Sequence, residues 1–390
     1  MKKYLLLLAL LQFTAINVFS YDFGKVESSV TSGISNNYFP GAQILIGNEN
    51  NVLFEKSFGN FTYDENSRVV TEESIFDIAS LTKVVATTSA VMLLYQEKKI
   101  DLNDAVVKYI PEFSNNGKED ITILNLLLHN SGLKAFIPFY KYYNSKEEVL
   151  NAIYNTVPDY QINSKFVYSD LNAILLGIVV ENVSGMPLDS FCNVNIFKKL
   201  NMQSTMYNPD EKTIENILPT ENDTYWRNRQ LKGEVHDEAA SMLGGVAGNA
   251  GLFSNASDLY KLLRVYLNGG KYFNPYTRGL TEEVLFLPET VELFTTRFTE
   301  LSYKNSRALG WDTKPDVSKS KYRMPCGELI SDNCFGHTGY TGTSIWCDKD
   351  RKIVIIFLTN RVYPSRDNEG IRDIRPEIHN AVFEIISSQN

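Results

Sequence analysis

The chain has 390 residues, of which 43% are hydrophobic and 22% charged, a composition typical of globular proteins. Its net charge is −8, and Lys and Arg form no cluster. Because nucleic-acid backbones are bound by several basic side chains on one face, the sequence argues against a nucleic-acid partner. At about 150 residues per domain, the length allows two or three domains or one two-lobed unit.

The first 20 residues have the pattern of a signal peptide. Lys2 and Lys3 precede a continuous apolar run over residues 4–11, and Ser20 is the small residue that a cleavage site prefers. Polar residues then interrupt the run, whereas a membrane-spanning helix needs about 20 mostly apolar residues. We therefore expect a cleaved signal, a mature chain without a stable membrane span, and a location in the periplasm or outside the cell.

The predicted elements place strands at both ends of the chain and helices between them. Alternating or apolar runs joined by Gly, Asn or charged turns predict two β-hairpins. Their strands are residues 42–46 with 52–54, and residues 343–346 with 353–358. Apolar residues at helical spacing predict four helices. These are residues 80–98, 122–129 and 171–183, and a last helix from Arg375 and Pro376.

This order predicts an α/β (α+β) fold in which one antiparallel sheet is built from both chain ends and a helical lobe is inserted between them. We expect one domain over residues 21–390, with a sheet lobe from about 21–75 and 305–390. Glycines between residues 244 and 251 do not match a phosphate-binding loop, so we interpret them as a tight loop.

The four cysteines leave two possibilities open. They are Cys192, Cys326, Cys334 and Cys347, and no two have C-x-x-C spacing. None of the four His pairs at metal-ligand spacing either, so neither a metal nor another cofactor is predicted. Export permits a disulfide between Cys326 and Cys334, which would close a short loop, but four unpaired thiols fit equally well.

Ser80 and Lys83 form an S-x-x-K motif at the start of a long apolar-periodic helix. The same pattern at 131–134 and 318–321 lacks that setting. Residues three apart on a helix are neighbours, so the Lys83 amine can reach the Ser80 hydroxyl. A buried lysine with a lowered pKa can accept a serine proton, and the N–H groups at a helix N-terminus can stabilise an oxyanion. An ordinary surface Ser and Lys give the same pattern, so the motif alone is weak.

Two further short motifs could contribute to the same site. Tyr168 and Asp170 precede the helix over residues 171–183, where Asp170 could also serve as a helix cap. His337, Thr338 and Gly339 lead into the second hairpin, on or entering an edge strand where a glycine would let a substrate backbone approach. A single tyrosine or histidine is more often structural than catalytic, so these signals gain weight only together.

In this order, S-x-x-K, Y-x-[N/D] and [K/H]-T-G resemble the class C β-lactamase and penicillin-binding protein family of serine hydrolases. Residues 39–42, 127–133, 309–311 and 358–361 are similar to that family as well. Residues 233–237, 245–248 and 251–254 are most similar to the branch that contains penicillin-binding protein 4B and D-alanyl-D-alanine carboxypeptidases. The resemblance runs from about residue 25 to the end.

The resemblance implies a role for each residue. Ser80 would attack the substrate carbonyl, Lys83 would accept its proton, and Tyr168 would relay the proton to the leaving group. The remaining residues would bind substrate, with the N–H groups of Ser80 and Tyr340 forming the oxyanion hole. The implied substrate-binding residues are Asp170, His337, Thr338, Gly339, Tyr340 and Asn360.

Three positions depart from the family pattern. His337 replaces the lysine of K-T-G, and an ordinary histidine is mostly neutral at pH 7, which weakens the attraction for a substrate carboxylate. Some carboxypeptidases of the family carry H-T-G, so the change favours a peptidase over a β-lactamase. Asp170 replaces asparagine and adds a negative charge. Asn249 stands where the branch often has histidine, and the sequence offers no physical reason for it.

Three functions follow as hypotheses. The leading one is an exported D-Ala-D-Ala carboxypeptidase, a penicillin-binding protein acylated on Ser80 by peptidoglycan stem peptides. The second is a β-lactamase or promiscuous esterase with the same nucleophile, acting on β-lactams or small esters. The third is a catalytically idle protein that binds or senses peptidoglycan. The sequence leaves open the natural acyl donor, the oligomeric state and whether Lys83 or Tyr168 is the main base.

Overall fold

The computed structural model describes residues 21–301, 303, 305–316 and 324–388. The predicted signal peptide and the motif at 318–321 lie outside these residues. The strands are β1 Gly41–Asn48, β2 Val52–Gly59, β3 Phe76–Asp77, β4 Met206–Tyr207, β5 Asn222–Asp223, β6 Arg229–Gln230, β7 Leu252–Ser254, β8 Lys271–Phe273, β9 Glu282–Val284, β10 Cys334–Thr338, β11 Ser344–Asp348 and β12 Ile353–Thr359. The α-helices are α1 Gly24–Ser35, α2 Ser89–Gln96, α3 Ile123–Leu127, α4 Lys146–Tyr154, α5 Asp170–Ser184, α6 Leu188–Cys192, α7 Glu211–Ile214, α8 Glu238–Met242, α9 Ala256–Leu267, α10 Pro288–Thr295 and α11 Ile371–Ser387.

The main sheet is antiparallel, with the strand order β10-β11-β12-β1-β2. Its central pair joins the two ends of the chain, with Leu45 of β1 opposite Ile356 of β12. Every residue of β12 is buried, which explains why its sequence is a continuous apolar run rather than an alternating one. Both predicted hairpins and the sheet built from both chain ends are therefore confirmed.

Helices cover both faces of this sheet. On one face, Val30 of α1 and Ile378 of α11 pack in a cluster with Ile44 and Phe357 of the strands. On the other face, α9 packs against β1 and β12, and the larger core continues from there into the inserted helices. The mixed α/β architecture with flanking helices is confirmed, and it places the edge strand β10 beside the helical part of the chain.

Two predicted helices have different bounds in the structure. The segment predicted as one helix over 80–98 is a 3₁₀ turn at Ala79–Leu81, a π-helical turn at Lys83–Thr88 and then α2. The last helix begins at Ile371, before the predicted start, and includes Pro376 in its interior. All four cysteines are buried free thiols, so the possible bridge between Cys326 and Cys334 is not formed.

Within the described residues, no single helix is both long and apolar enough to cross a membrane. The bent pair formed by α5 and the helical segment Leu188–Phe197 meets the criterion only when the two are taken together. Most of α5 is buried in the protein core, where apolar residues are expected on all sides of a helix.

Burial of His379 predicts acid-sensitive folding. Burial, and then the positive charge of Arg375, lower the pKa of His379 to about 3, and neither ring nitrogen has a hydrogen-bond partner. The unfolded chain therefore binds one more proton between about pH 6.5 and pH 3, so stability is complete above pH 6.5 and falls as the pH drops through this window.

We expect His379→Gln to remove this contribution. In urea unfolding between pH 3.5 and 8, the variant's free energy of unfolding should depend less steeply on pH below 6.5, by up to about 1.4 kcal/mol per pH unit, the value for one proton. Above pH 7 the two curves should run parallel. Equal slopes in the acidic window would contradict the assignment.

Candidate active site

Ser80 lies in a strained turn that directly follows β3. Ala79 has a left-handed backbone with φ +47°, which costs a residue other than glycine roughly 1–2 kcal/mol. The buried carboxylate of Asp77 holds the turn: Oδ1 accepts from the Ala79 N–H at 2.8 Å and Oδ2 from the His236 N–H at 2.7 Å. Such strain persists where surrounding contacts enforce it, and it is typical of functional sites.

The Lys83 amine joins three segments of the chain. Nζ donates to Ser80 Oγ at 3.0 Å and to the backbone carbonyl of Asn249 at 3.0 Å, and it lies 2.7 Å from Oδ1 of Asp170. Lys83 is 4% exposed, whereas Ser80 is half-buried and can be reached from outside. The structure therefore brings the two predicted residues of the S-x-x-K motif into hydrogen-bond contact.

The expected lowered pKa of Lys83 is wrong. Burial alone would lower the pKa, but the negative charge of Asp170 and the neighbouring Tyr168 outweigh it, so the pKa of Lys83 is raised. The cause is the acid at position 170, where the family pattern has a neutral asparagine. In the resting site Lys83 is a charged ammonium group.

Tyr168 lies directly beside this pair. Its ring centre is 5.0 Å from Lys83 Nζ, and His129 and His337 pack against the ring at 4.8 and 5.8 Å between ring centres. The hydroxyl has no hydrogen-bond partner. Burial raises the pKa of Tyr168 although the charge of Lys83 and contact with Ser80 oppose it, so the phenol is protonated. It is a proton donor with an unused hydroxyl at the nucleophile.

Asp170 does not cap α5. The helix is preceded by Ser169, which makes no capping side-chain bond, and Asp170 is its first residue. The carboxylate instead pairs with Lys83 at 2.7 Å, with 26% of its side chain exposed. The alternative of a purely structural cap is therefore wrong, and the negative charge faces the catalytic amine.

His337 and Thr338 end the edge strand β10, as predicted. Burial lowers the pKa of His337 to about 4, and its Nδ1 lies 2.8 Å from the Thr338 carbonyl oxygen. Because a carbonyl only accepts, Nδ1 carries the hydrogen and the unpartnered Nε2 keeps a lone pair. His337 therefore supplies an acceptor and not the positive charge of the K-T-G lysine.

Close packing within the protein leaves no room for a side chain at Gly339. A Cβ at this position would lie 2.1 Å from Thr343 Oγ1 and 2.5 Å from the backbone oxygen of Ile78. Ile78 precedes the nucleophile turn, so the missing side chain lets β10 approach that turn. Gly339 is thus needed where two walls of the site meet, and room for a substrate backbone stays a prediction.

Tyr340 is held from both sides while its ring stays 48% exposed. Arg361 lies 4.5 Å from the ring centre and donates from Nε to the Tyr340 carbonyl at 2.8 Å, and His236 stacks on the ring at 5.7 Å. Among the described residues, the Tyr340 N–H has no hydrogen-bond acceptor. These contacts position Tyr340, and the role of its N–H as an oxyanion donor stays a prediction.

Asn360 is held by the protein through its amide nitrogen, while its Oδ1 has no hydrogen-bond partner. It is 2% exposed, and its amide nitrogen donates to the backbone carbonyls of Phe61 at 2.9 Å and Pro219 at 3.0 Å. Both amide hydrogens are thus unavailable to a substrate. The amide nitrogen of Asn360 thus ties the end of β12 to two loops, and contact of its Oδ1 with a substrate stays a prediction.

A cavity of about 340 Å³ adjoins Asp170, the carboxylate that pairs with Lys83. Its charged lining consists of Asp170, Asp237, Glu238, Arg366 and Lys141, and its apolar wall includes Phe136, Tyr140, Leu171 and Ile174. Within the described residues, no group of three His, Cys, Asp or Glu side chains is arranged to hold a metal ion.

Four residues of the site were not identified as functional from the sequence. Asp77 and His129 support the nucleophile turn and Tyr168, while the Asn249 carbonyl accepts from Lys83. Asn249 also donates from its side chain to Asp237 at 3.0 Å, which gives this unexplained position a physical role. His129 and Asp237 lie in stretches that resemble the family, and that resemblance was the only available signal.

We expect Gly339→Ala to separate β10 from the nucleophile turn. The added methyl group overlaps a backbone oxygen that cannot rotate away, so stability should fall by about 1–3 kcal/mol and acylation of Ser80 by tenfold or more. Thermal unfolding and acylation rates measure both effects. Gly24→Ala is the control, because only the movable Asp22 carboxylate lies near its Cβ position; equal effects in both variants would contradict the explanation.

The family model described as Beta-lactamase matches residues 26–378. The chain is 33% identical over 371 residues to a protein of Salmonella agona (strain SL483) named "Putative D-alanyl-D-alanine carboxypeptidase", a match that covers 87% of this chain and 81% of the relative. It is also 33% identical over 372 residues to the "N-acetylmuramyl-L-alanine amidase" of Bacillus subtilis (strain 168), covering 86% of this chain and 79% of the relative.

Solved structures share the fold at lower identity. "EstCE1, a hydrolase with promiscuous acyltransferase activity" superposes with a TM-score of 0.71 at 19% identity, covering 92% of this chain and 97% of that chain. A penicillin-binding protein homologue from Caulobacter crescentus gives a TM-score of 0.70 at 15% identity, covering 93% and 97%. Together with the family match, these similarities confirm the resemblance of the three motifs: the chain belongs to the Beta-lactamase family and has the fold of its serine hydrolases.

Proposed function

We propose that this protein is an exported D-Ala-D-Ala carboxypeptidase, acylated on Ser80 by cell-wall peptides. The observation that carries the proposal is the contact of 3.0 Å between Lys83 Nζ and Ser80 Oγ beside the unpartnered Tyr168 hydroxyl. The carboxypeptidase and amidase names of relatives at 33% identity favour a cell-wall substrate. The signal-like N-terminus would deliver the enzyme to that substrate.

The proposed reaction has two halves. Ser80 Oγ bonds to the carbonyl carbon of the penultimate D-Ala while its proton passes to the Lys83 site, and the oxyanion is held by backbone N–H groups such as that of Tyr340. Tyr168 gives its proton to the amine of the terminal D-Ala as the peptide bond breaks. Water then attacks the acyl carbon and loses a proton to the Tyr168 phenolate, while Ser80 Oγ leaves that carbon and takes its proton back from the Lys83 site.

Intact-mass spectrometry after incubation with benzylpenicillin tests the nucleophile. We expect wild type to gain the mass of one penicillin and Ser80→Ala to gain none. Ser131→Ala is a matched control, since Ser131 begins another S-x-x-K pattern, and it should label like wild type. Labelling of Ser80→Ala, or none of wild type with either penicillin or a D-Ala-D-Ala peptide, would exclude the proposal.

One observation favours a second function, hydrolysis of β-lactams or small esters. The neutral, buried His337 removes the positive charge that would attract the carboxylate of a peptide terminus. A neutral ester loses nothing at such a position, whereas a peptide carboxylate loses a charge-assisted hydrogen bond of about 1.5–3 kcal/mol. The same nucleophile and proton donor serve both reactions.

Matched substrates separate the two functions. We expect a diacyl peptide ending in D-Ala-D-Ala to be cleaved with a higher kcat/KM than the same peptide with a C-terminal amide, because a carboxypeptidase must use the terminal carboxylate. The measurement is the rate at which the terminal D-Ala is released, monitored by chromatography. Equal values for acid and amide, together with rapid turnover of nitrocefin or a p-nitrophenyl ester, would instead support the second function.

A further inference from the structure

The Lys83 amine is protonated by its surroundings and cannot act as a base in that state. An ammonium group has three hydrogens, and three acceptors surround Nζ: Ser80 Oγ at 3.0 Å, the Asn249 carbonyl at 3.0 Å and Asp170 Oδ1 at 2.7 Å. Nζ donates hydrogen bonds to Ser80 and Asn249 and forms an ion pair with Asp170. As long as it is an ammonium group, it has no lone pair for the Ser80 proton. A proton must leave Nζ before the serine can be activated.

Of the three acceptors, only Asp170 can take that proton. The Asn249 carbonyl belongs to an amide, which is far too weak a base, and Ser80 Oγ is the atom to be activated. Tyr168 is no alternative, since burial raises the pKa of its phenol and keeps it protonated. Asp170 is a carboxylate at the shortest of the three distances and is partly exposed, so a proton on it is also open to exchange with solvent.

We propose that Asp170 is the proton acceptor behind Lys83, a positioning residue that acts on Ser80 through the lysine; this rests on the proposed acylation of Ser80. The Lys83 ammonium gives one proton to Asp170 Oδ1 and takes the hydroxyl proton of Ser80. Ser80 Oγ then forms the bond to the acyl carbon, whose carbonyl electrons move to the oxygen. Lys83 ends as an ammonium again, and Asp170 holds one proton, which is returned when the acyl-enzyme is hydrolysed.

A second carboxylate lies next to this relay. Asp237 accepts from the Asn249 side chain at 3.0 Å and from the Ala240 N–H at 2.8 Å. Burial and the charge of Asp170 raise the pKa of Asp237 to about 6. Asn249 therefore connects Lys83 with Asp237. Its backbone carbonyl accepts from Lys83, and its side chain donates to Asp237, whose pKa is raised by the nearby charge of Asp170.

The pH dependence of Ser80 acylation is affected by every titratable or charged group that faces Asp170. They are Lys83 and Tyr168 at the nucleophile, and Asp237, Glu238, Arg366 and Lys141 around the adjoining cavity. Only Lys83 is in direct contact with the Asp170 carboxylate among the described residues. Loss of activity at acid pH should therefore follow protonation of the carboxylates, whereas without Asp170 it should follow deprotonation of the lysine itself.

The test is the pH profile of the acylation rate, measured with nitrocefin or a p-nitrophenyl ester on the full chain. In Asp170→Asn the lysine must lose its proton to solvent, so the acid limb should move upward by about one pH unit or more, which is a tenfold loss of rate at a fixed acid pH. Asp170→Glu keeps a carboxylate and should keep the limb of wild type. Thermal unfolding of each variant confirms that it is folded.

Asp237→Asn is the matched control, because asparagine also caps a helix well and no contact with Lys83 is lost. Removing this neighbouring negative charge should move the limb downward, opposite to Asp170→Asn. An unmoved limb with a uniformly lower rate in Asp170→Asn would mean a structural role and overturn the proposal, as would a limb that moves in Asp170→Glu as far as in Asp170→Asn. If wild type is not acylated at any pH, the proposed function itself fails.

Discussion

The ion pair between Lys83 and Asp170 is the interaction on which the candidate site depends. A buried ammonium group is stable only when its charge and all its hydrogens are matched, and here the matching groups come from the nucleophile turn, the start of α5 and the loop at residue 249. The pair therefore fixes the relative positions of three segments that are distant in sequence. The same contact that assembles the site also determines which group can accept a proton.

Asp77 has a comparable role on the other side of the nucleophile. Its side chain accepts from the backbone of Ala79 and of His236, and its carbonyl accepts from the Thr341 hydroxyl at 2.7 Å. Ala79 can stay in its left-handed conformation because these bonds over-determine it. Asp77 thus connects the turn that carries the serine with the loop at His236 and the loop that follows β10. Three segments around the cleft are therefore hydrogen-bonded to the same buried residue.

The sequence predicted local features better than partners across the fold. Both hairpins and the meeting of Ser80 with Lys83 follow from patterns within a few residues, and the order of the three motifs identified the family. The direction of the Lys83 pKa shift was mispredicted because it depends on the distance between Lys83 and Asp170, which no local sequence pattern contains. The structural contacts of Asn360 were missed for the same reason, since its partners are two backbone carbonyls far away in the chain.

The helix prediction over residues 80–98 was wrong for a different reason. Apolar periodicity does not distinguish an α-helix from the 3₁₀ and π turns that precede α2, because nearly all residues of these segments are buried. The cysteines show the same limit, since spacing permits a bridge whereas all four are buried free thiols. Oligomeric state and the natural acyl donor have no local signature at all.

The pairing of β1 with β12 has a consequence for how the molecule is made. Until residues 353–359 leave the ribosome, β1 has only β2 beside it, and its other edge, with Ile44, Leu45 and Ile46, has no partner. Contacts this distant in sequence close late and slowly. The cleft is also lined by segments that are synthesised at different times: Ser80 and Lys83 early, and β10 with Tyr340 late. A partly made chain therefore contains its serine and lysine but lacks the opposite wall that turnover of a substrate requires.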